Sequence, residues 1–284
     1  MIDDPLLDAL RELLRELQPH GVTLIVGGGF GLVLRARYLD ASRARTRAAV
    51  PRVRATEDLD CFLRREQIID AECTRRIRES INRLGYDLLT PNFQFTRSRA
   101  DSAPGPSVRL DFLSGPVSVH ERELVKTKDM RIRPRAYDGL HAYLTPEAFA
   151  IGELVQEVQL SDANGDVTVE IPHPFTYFVL KLGALRDRIE SEDGKYHALD
   201  LFTIWSMLTE AHWDEVIALR ARYAEHPEMG RTRSAVHQLF GAWTAPGMLA
   251  VREQSRKQSM SIADDVLEQF RLDLRELLDV ETTS

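Results

Sequence analysis

Apolar residues first recur in this chain at helical spacing: Leu6, Leu10, Leu13, Leu14 and Leu17 fall on one stripe, which predicts an amphipathic N-terminal helix. The continuous run Val22 to Val26 reads as a buried strand. It enters Gly27, Gly28 and Gly29, after which Leu32 to Leu39 turns helical, so strand, tight turn and helix succeed one another. Beyond a basic stretch interrupted by Pro51, "RATEDLDCFL" (residues 54 to 63) is strand-like. Ile69, Cys73, Ile77 and Ile81 recur every fourth residue and predict a second long helix over Ile68 to Leu84. Strand-like pieces follow at Tyr86 to Leu89, Phe93 to Thr96 and Val108 to Leu113, with the turn-rich "SRADSAPGPS" before the last. Around "DANG", the segments "ELVQEVQL" and "DVTVEI" predict a β-hairpin, although the first could instead extend a helix from Pro146.

From Pro174 the texture becomes helical, with helices expected roughly over 174 to 190, 195 to 209, 213 to 224, 231 to 241 and 261 to 280. The change places a boundary near residue 172. The expected architecture is α+β, with a mixed α and β domain over residues 1-172 and a helical domain over 173-284. No internal repeat or low-complexity tract interrupts it.

With 284 residues, 43% of them hydrophobic, the chain can bury a sizeable core. "MIDDPLL" is acidic where a secretory signal would be basic, and Thr23 to Leu34 is too short and glycine-rich to span a bilayer. A cytoplasmic protein with no membrane partner is expected. Cys61 and Cys73 form no disulfide framework and lack the spacing of zinc ligands, so both read as core or near-core thiols. The formal net charge of -7 argues against nonspecific nucleic-acid binding. Nevertheless Arg35, Arg37, Arg43, Arg45, Arg47, Arg52 and Arg54 crowd one segment against Asp40 alone. Lysine occurs only at 126, 128, 181, 195 and 257, which makes arginine the default cation. The segment therefore reads equally as a solvated loop or as a site for phosphate or substrate.

The carboxylates carry the first chemical signal. Strand alternation turns Leu59, Cys61 and Leu63 one way and Asp58, Asp60 and Phe62 the other, so the two acids share a face. Such a pair repels unless it is protonated or bridged by cations, and Mg²⁺ suits hard oxygen ligands of this kind. In "VRLDFL", Asp111 stands between apolar neighbours on another strand and offers a third carboxylate, enough for two metal ions. The alternative is an exposed edge strand carrying Asp58 and Asp60, with Asp111 paired to Arg109.

"VGGGFG" fits neither a dinucleotide fingerprint nor a P-loop. A strand entering Gly27, Gly28 and Gly29 and leaving into a helix still presents backbone N–H groups and a helix N-terminus to an anion.

An aliphatic residue before paired glycines, then "DLDCF", then "LDF" resembles the DNA polymerase β-like nucleotidyltransferases. The 28 residues between Gly29 and Asp58 exceed the usual family spacing, so the arginine segment looks like an insertion. "HPFTYFVLKLGALRDRIESEDGKYHALDLFTIW" is similar to the C-terminal signature of the AbiEii/AbiGii toxin-like members, with Lys181, Ala184, Arg188 and Asp200 at the matching positions. The resemblance spans residues 22 to 205 in scattered motifs. It implies a polymerase β-like core followed by helices, two Mg²⁺ ions (or Mn²⁺) on Asp58, Asp60 and Asp111, and an NTP as substrate. Gly28, Gly29, Lys181 and Arg188 would contact its phosphates, and Asp200 would join Asp58, Asp60 and Asp111 as a catalytic acid. It further implies a toxin of a toxin–antitoxin or phage-defence pair, with RNA (tRNA 3′ ends included) or protein as acceptor and a cognate antitoxin as partner. An antibiotic-modifying or housekeeping nucleotidyltransferase is the alternative within that chemistry, and a silent nucleotide- or RNA-binding module the alternative outside it.

Helical geometry leaves Lys181 and Arg188 within roughly 20° of each other around their helix. Either could instead be solvated, and Asp200 could be a structural acid paired to Arg188 or Lys195. His197 reads as a packing or surface histidine.

Overall fold

The computed structural model describes residues 4–54, 56–90, 92–98 and 107–278. Most of "SRADSAPGPS" lies outside these residues. The chain forms two compact units: Met1–Arg35 with Arg54–His173, and Ala36–Val53 with Pro174–Ser284.

The first unit contains α1 (Pro5–Leu17), β1 (Ile25–Val26), the start of α2 (Gly28–Ser42), β2 (Asp58–Leu63), α3 (Arg65–Ile69), α4 (Ala71–Arg83), β3 (Asp87–Thr90) and β4 (Gln94–Arg97). It continues with β5 (Val108–Ser114), β6 (Val125–Lys128), β7 (Arg131–Pro134), β8 (Ala142–Leu144), β9 (Gln156–Asp162) and β10 (Gly165–Ile171). The strands build one mixed sheet in the order β6-β7-β8-β5-β2-β1-β10-β9, with β4 also beside β5 and β3 beside β4. The expected α+β architecture, a mixed sheet with helices and then a helical region, is the one observed.

Helix α1 starts where Asp4 caps it by accepting from the Leu7 amide, with Pro5 preorganised at the first turn. Its leucine stripe is buried, and it packs against α4, β2, β5 and β10. The single helix expected over Ile68 to Leu84 is two helices. Asp70 adopts an extended conformation (ψ 113) and accepts from the Glu72 amide at 2.8 Å, so its carboxylate starts α4 instead of continuing α3. Pairing of β9 with β10 through seven residue partners settles "ELVQEVQL" as mainly strand. Strands β6 to β8 escape the apolar pattern, because β6 exposes three of its four residues and β8 has only three.

At the end of this unit His173 is buried, and burial, reinforced by the Arg35 guanidinium, lowers its pKa to about 3. A base depressed in the folded state contributes stability fully above its unfolded pKa, and that contribution is lost as pH falls from about 6.5 toward 3. Taking the protein from pH 7 to pH 5 should therefore cost about 2 kcal/mol at this one residue. Urea unfolding should show that loss in the parent and a flatter pH profile in His173→Asn. Equal slopes in the two proteins would contradict the assignment.

The second unit comprises residues 36–53 and helices α5 (Pro174–Arg188), α6 (Glu192–Ser206), α7 (Glu210–Arg222), α8 (Pro227–Phe240), α9 (Pro246–Lys257) and α10 (Asp264–Leu278). Phe270 lies edge-on to Phe202, Trp205 and Phe240 at 5.5, 5.7 and 5.6 Å, forming its aromatic core. Helix α9 has no counterpart in the sequence expectation, since only Met248, Ala250 and Val251 supply buried apolar side chains among polar ones.

The arginine-rich segment is partly absorbed into this unit. Arg47 makes a two-pronged bond from Nε (2.7 Å) and Nη2 (3.1 Å) to the buried Asp273, lies over the Trp213 ring and donates its amide to the Leu208 carbonyl. Asp273 also accepts from Trp205 at 2.8 Å and Gln269 at 2.6 Å. Arg43 and Arg45 are exposed. Arg47→Ser should therefore lower stability by about 1.5–3 kcal/mol, whereas Arg45→Ser should change it by less than about 0.5 kcal/mol. Thermal or urea denaturation of the two single variants separates them; equal small effects would show that the Asp273 contact is dispensable. Among the described residues, no helix is long and apolar enough to cross a membrane.

Candidate active site

The three acids expected to act together are placed by the parallel pairing of β2 with β5. Asp60 is the register partner of Asp111, and Asp58 the partner of Arg109, so all four side chains leave the same sheet face. On the opposite face Leu59, Cys61, Leu110 and Phe112 are wholly buried and hold the strands in the core. Burial raises the Cys61 thiol well above its ordinary pKa, in keeping with a core thiol.

Arg109 takes part in the ion pairing. It bonds Asp58, and its Nε lies 3.5 Å from Asp111 Oδ1. Asp111 Oδ2 accepts from Gln94 on β4 at 3.2 Å, while its buried Oδ1 accepts no hydrogen bond. Burial, only partly opposed by Arg109, pushes the Asp111 carboxyl up to about 6, and the nearby Asp60 charge adds to the shift. Asp58 is raised as well, chiefly by burial against the counter-effect of Arg109.

The glycine turn closes over this pair of strands. The Gly27 amide donates to the Asp60 carbonyl at 2.9 Å. Gly28 has φ +59, and a Cβ there would fall 1.7 Å from Asp60 Oδ2, so only glycine leaves room for the carboxylate in this position. Helix α2 begins at Gly28, pointing the positive end of its dipole at this corner. Gly29 is flanked by Thr56 and by the Arg54 guanidinium, which a Cβ would approach to 3.2 and 3.4 Å. The turn thus brings amides, a helix N-terminus and one arginine beside the acids. Arg54 belongs to the arginine-rich segment, but its place at the turn comes from the fold. Gln94 could not be read from spacing at all, since only the β4–β5 register brings it to Asp111. Arg109 was visible from alternation as a neighbour of Asp111, though its bond to Asp58 was not.

The donor set bears on the expected metal. Among the described residues, no three His, Cys, Asp or Glu side chains already converge on one point. The chemistry nevertheless fits a hard divalent cation: two register-paired carboxylates, one with an unsatisfied buried oxygen, in a setting that resists ionisation without a countercharge. Asp60 and Asp111 are the residues that would hold it.

In the second unit, Lys181 and Asp200 form a buried ion pair at 2.6 Å, with side chains only 7% and 5% exposed. Asp200 is thus paired to Lys181, while Lys195 binds Glu192 and Glu253 at the surface. His197 Nδ1 lies 3.8 Å from Asp200, and burial lowers the imidazole's pKa, favouring its neutral form. Arg188 is exposed on the last turn of α5, so the two cations expected to face a triphosphate together occupy different environments.

No family profile matches the chain, and no curated protein matches it in sequence. Among solved structures, it is similar to the solution structure of the antibiotic-resistance factor ANT(2'')-Ia, at 11% identity and a TM-score of 0.31 over 97% of this chain and 94% of that one. A superposition at that level carries no inference about chemistry.

Proposed function

We propose that the protein is a metal-dependent nucleotidyltransferase that moves a nucleoside monophosphate from an NTP to an acceptor oxygen and releases pyrophosphate. The observation that carries this reading is the clasp of Gly28 on Asp60, whose register partner is Asp111. A phosphate-seeking helix N-terminus and a pair of acids are thereby joined in one rigid corner. In the reaction the acceptor oxygen forms a bond to the α-phosphorus, the bond from that phosphorus to the bridging oxygen breaks, and the pair of electrons leaves with pyrophosphate. Mg²⁺ or Mn²⁺ held by Asp60 and Asp111, with Asp58 beside them, would lower the pKa of the acceptor and neutralise the leaving group. Asp111 would take the acceptor's proton, Gly28 and Gly29 would receive phosphate oxygens, and Arg54 would offset their charge. The motif with Lys181, Ala184, Arg188 and Asp200, similar to that of the AbiEii/AbiGii-like proteins, supports a toxin role with an RNA or protein acceptor and a cognate antitoxin.

The test is incubation with each α-labelled NTP, Mg²⁺ or Mn²⁺, and total cellular RNA or protein. Label should pass to one acceptor pool with equimolar pyrophosphate. NTP binding without pyrophosphate in any combination would identify a silent binding module instead.

A further inference from the structure

The β6–β7 hairpin carries charge that the proposed chemistry does not use. Its register sets Lys126 opposite Arg133 and Lys128 opposite Arg131, so four cations share one face of a two-stranded ladder. Like charges directly opposite one another are unfavourable. Lysines on an edge strand do deter pairing with other sheets, but that explains only β6 and not the arginines facing it. Counter-ions are few: Asp129 pairs Arg131, and Asp138 serves both Arg133 and His141. Lys126 and Lys128 are exposed and make no hydrogen bond or ion pair among the described residues. With Arg135 the same side chains line a cleft of about 590 Å³.

The sheet connects this cleft to the acids. Arg131 is the register partner of Tyr143, which is 40% exposed, and Tyr143 is the partner of Leu113. Leu113 lies two residues from Asp111 on the same strand, whose partner is Asp60. Paired residues share a face, so one surface runs from the lysines across Tyr143 to the acids. The opposite side of the hairpin, with Val125, Ile132 and Ala142 buried, belongs to the core. Four strand spacings from β6 to β2 amount to about 19 Å.

We propose that this face binds a single-stranded nucleic acid, with Lys126, Lys128, Arg131 and Arg133 on its phosphates and Tyr143 stacking a base. A cationic cleft with an accessible aromatic ring is what sequence-tolerant recognition of a single strand requires. Strand binding goes beyond the transfer reading; that the bound strand is the acceptor, its end directed toward Asp60 and Asp111, rests on it.

The test is fluorescence anisotropy of a labelled oligouridine strand against the full chain across a salt series. Replacing both lysines (Lys126→Ser with Lys128→Ser) should weaken binding and flatten the log–log salt slope by about 1.4, at about 0.7 per lost phosphate contact. The Lys126→Arg, Lys128→Arg protein should bind like the parent, and Tyr143→Ala should lose at least about fivefold in affinity. An unchanged salt slope in the serine variant overturns the proposal, as does capture by phosphatidylserine vesicles without oligouridine binding. Pyrophosphate release is scored separately. Hairpin-dependent binding in a protein that never releases pyrophosphate leaves the surface standing and removes the transfer reading; turnover with hairpin-independent binding does the reverse.

Discussion

Asp60→Asn is expected to lower pyrophosphate release from an NTP by at least about 10²–10³-fold, because a group that stabilises transition-state charge in a preorganised site is worth several kcal/mol. The fold should survive. Asp60 and Asp111 lie side by side with Asp111 already short of partners, so an amide at position 60 relieves repulsion in the metal-free protein. Denaturation in chelator should show equal or slightly greater stability than the parent, so the loss of turnover cannot be assigned to unfolding. Gly28→Ala reaches the same carboxylate from the other side: its Cβ would displace Asp60 Oδ2 and sit at φ +59. It should lose turnover too, but with a loss of stability. A well-folded Asp60→Asn protein with near-normal turnover would sink the nucleotidyltransferase reading.

The second large effect is on folding. Lys181→Met should destabilise the protein by about 3–5 kcal/mol, because it leaves the Asp200 carboxylate buried without its cation. That is a large share of a typical folding free energy of about 5–15 kcal/mol. The pair is closed at 2.6 Å inside the α5–α6 contact, with His197 favoured in its neutral form beside it. Replacing both members, Lys181→Met with Asp200→Leu, should recover most of the lost stability, since a well-packed apolar pair can equal a buried ion pair. Chemical denaturation of the two single variants and the double variant measures the coupling. If Lys181→Met were as stable as the parent and only its NTP affinity fell, the ammonium would be a phosphate ligand after all.

These expectations also divide what could be read along the chain from what could not. The leucine stripe of α1, the β9–β10 hairpin and the common face of Asp58 and Asp60 were legible in the sequence, because each depends on a period of 3.6 or 2 within a few consecutive residues. The break at Asp70 was not, because a helix-compatible apolar spacing continues through a residue whose side chain competes for the backbone. Nor was the β6–β7 ladder, whose alternation is hidden when one face is cationic and the strands are only four residues long.

Partnerships across the chain belong to the tertiary structure. Asp111 meets Asp60 only because β2 and β5 pair in parallel at one register, and a shift of one residue would have turned it to the other face. Arg109 reaches Asp58 through the same pairing, Gln94 reaches Asp111 through the β4–β5 register, Lys181 reaches Asp200 through the packing of α5 on α6, and Arg47 finds Asp273 across 226 positions. The sequence by itself determined the local periods and therefore which side chains share a strand or a helix stripe. The tertiary structure alone decided which charges are buried together, since that depends on strand register and helix packing summed over many weak contacts, and no local spacing records it.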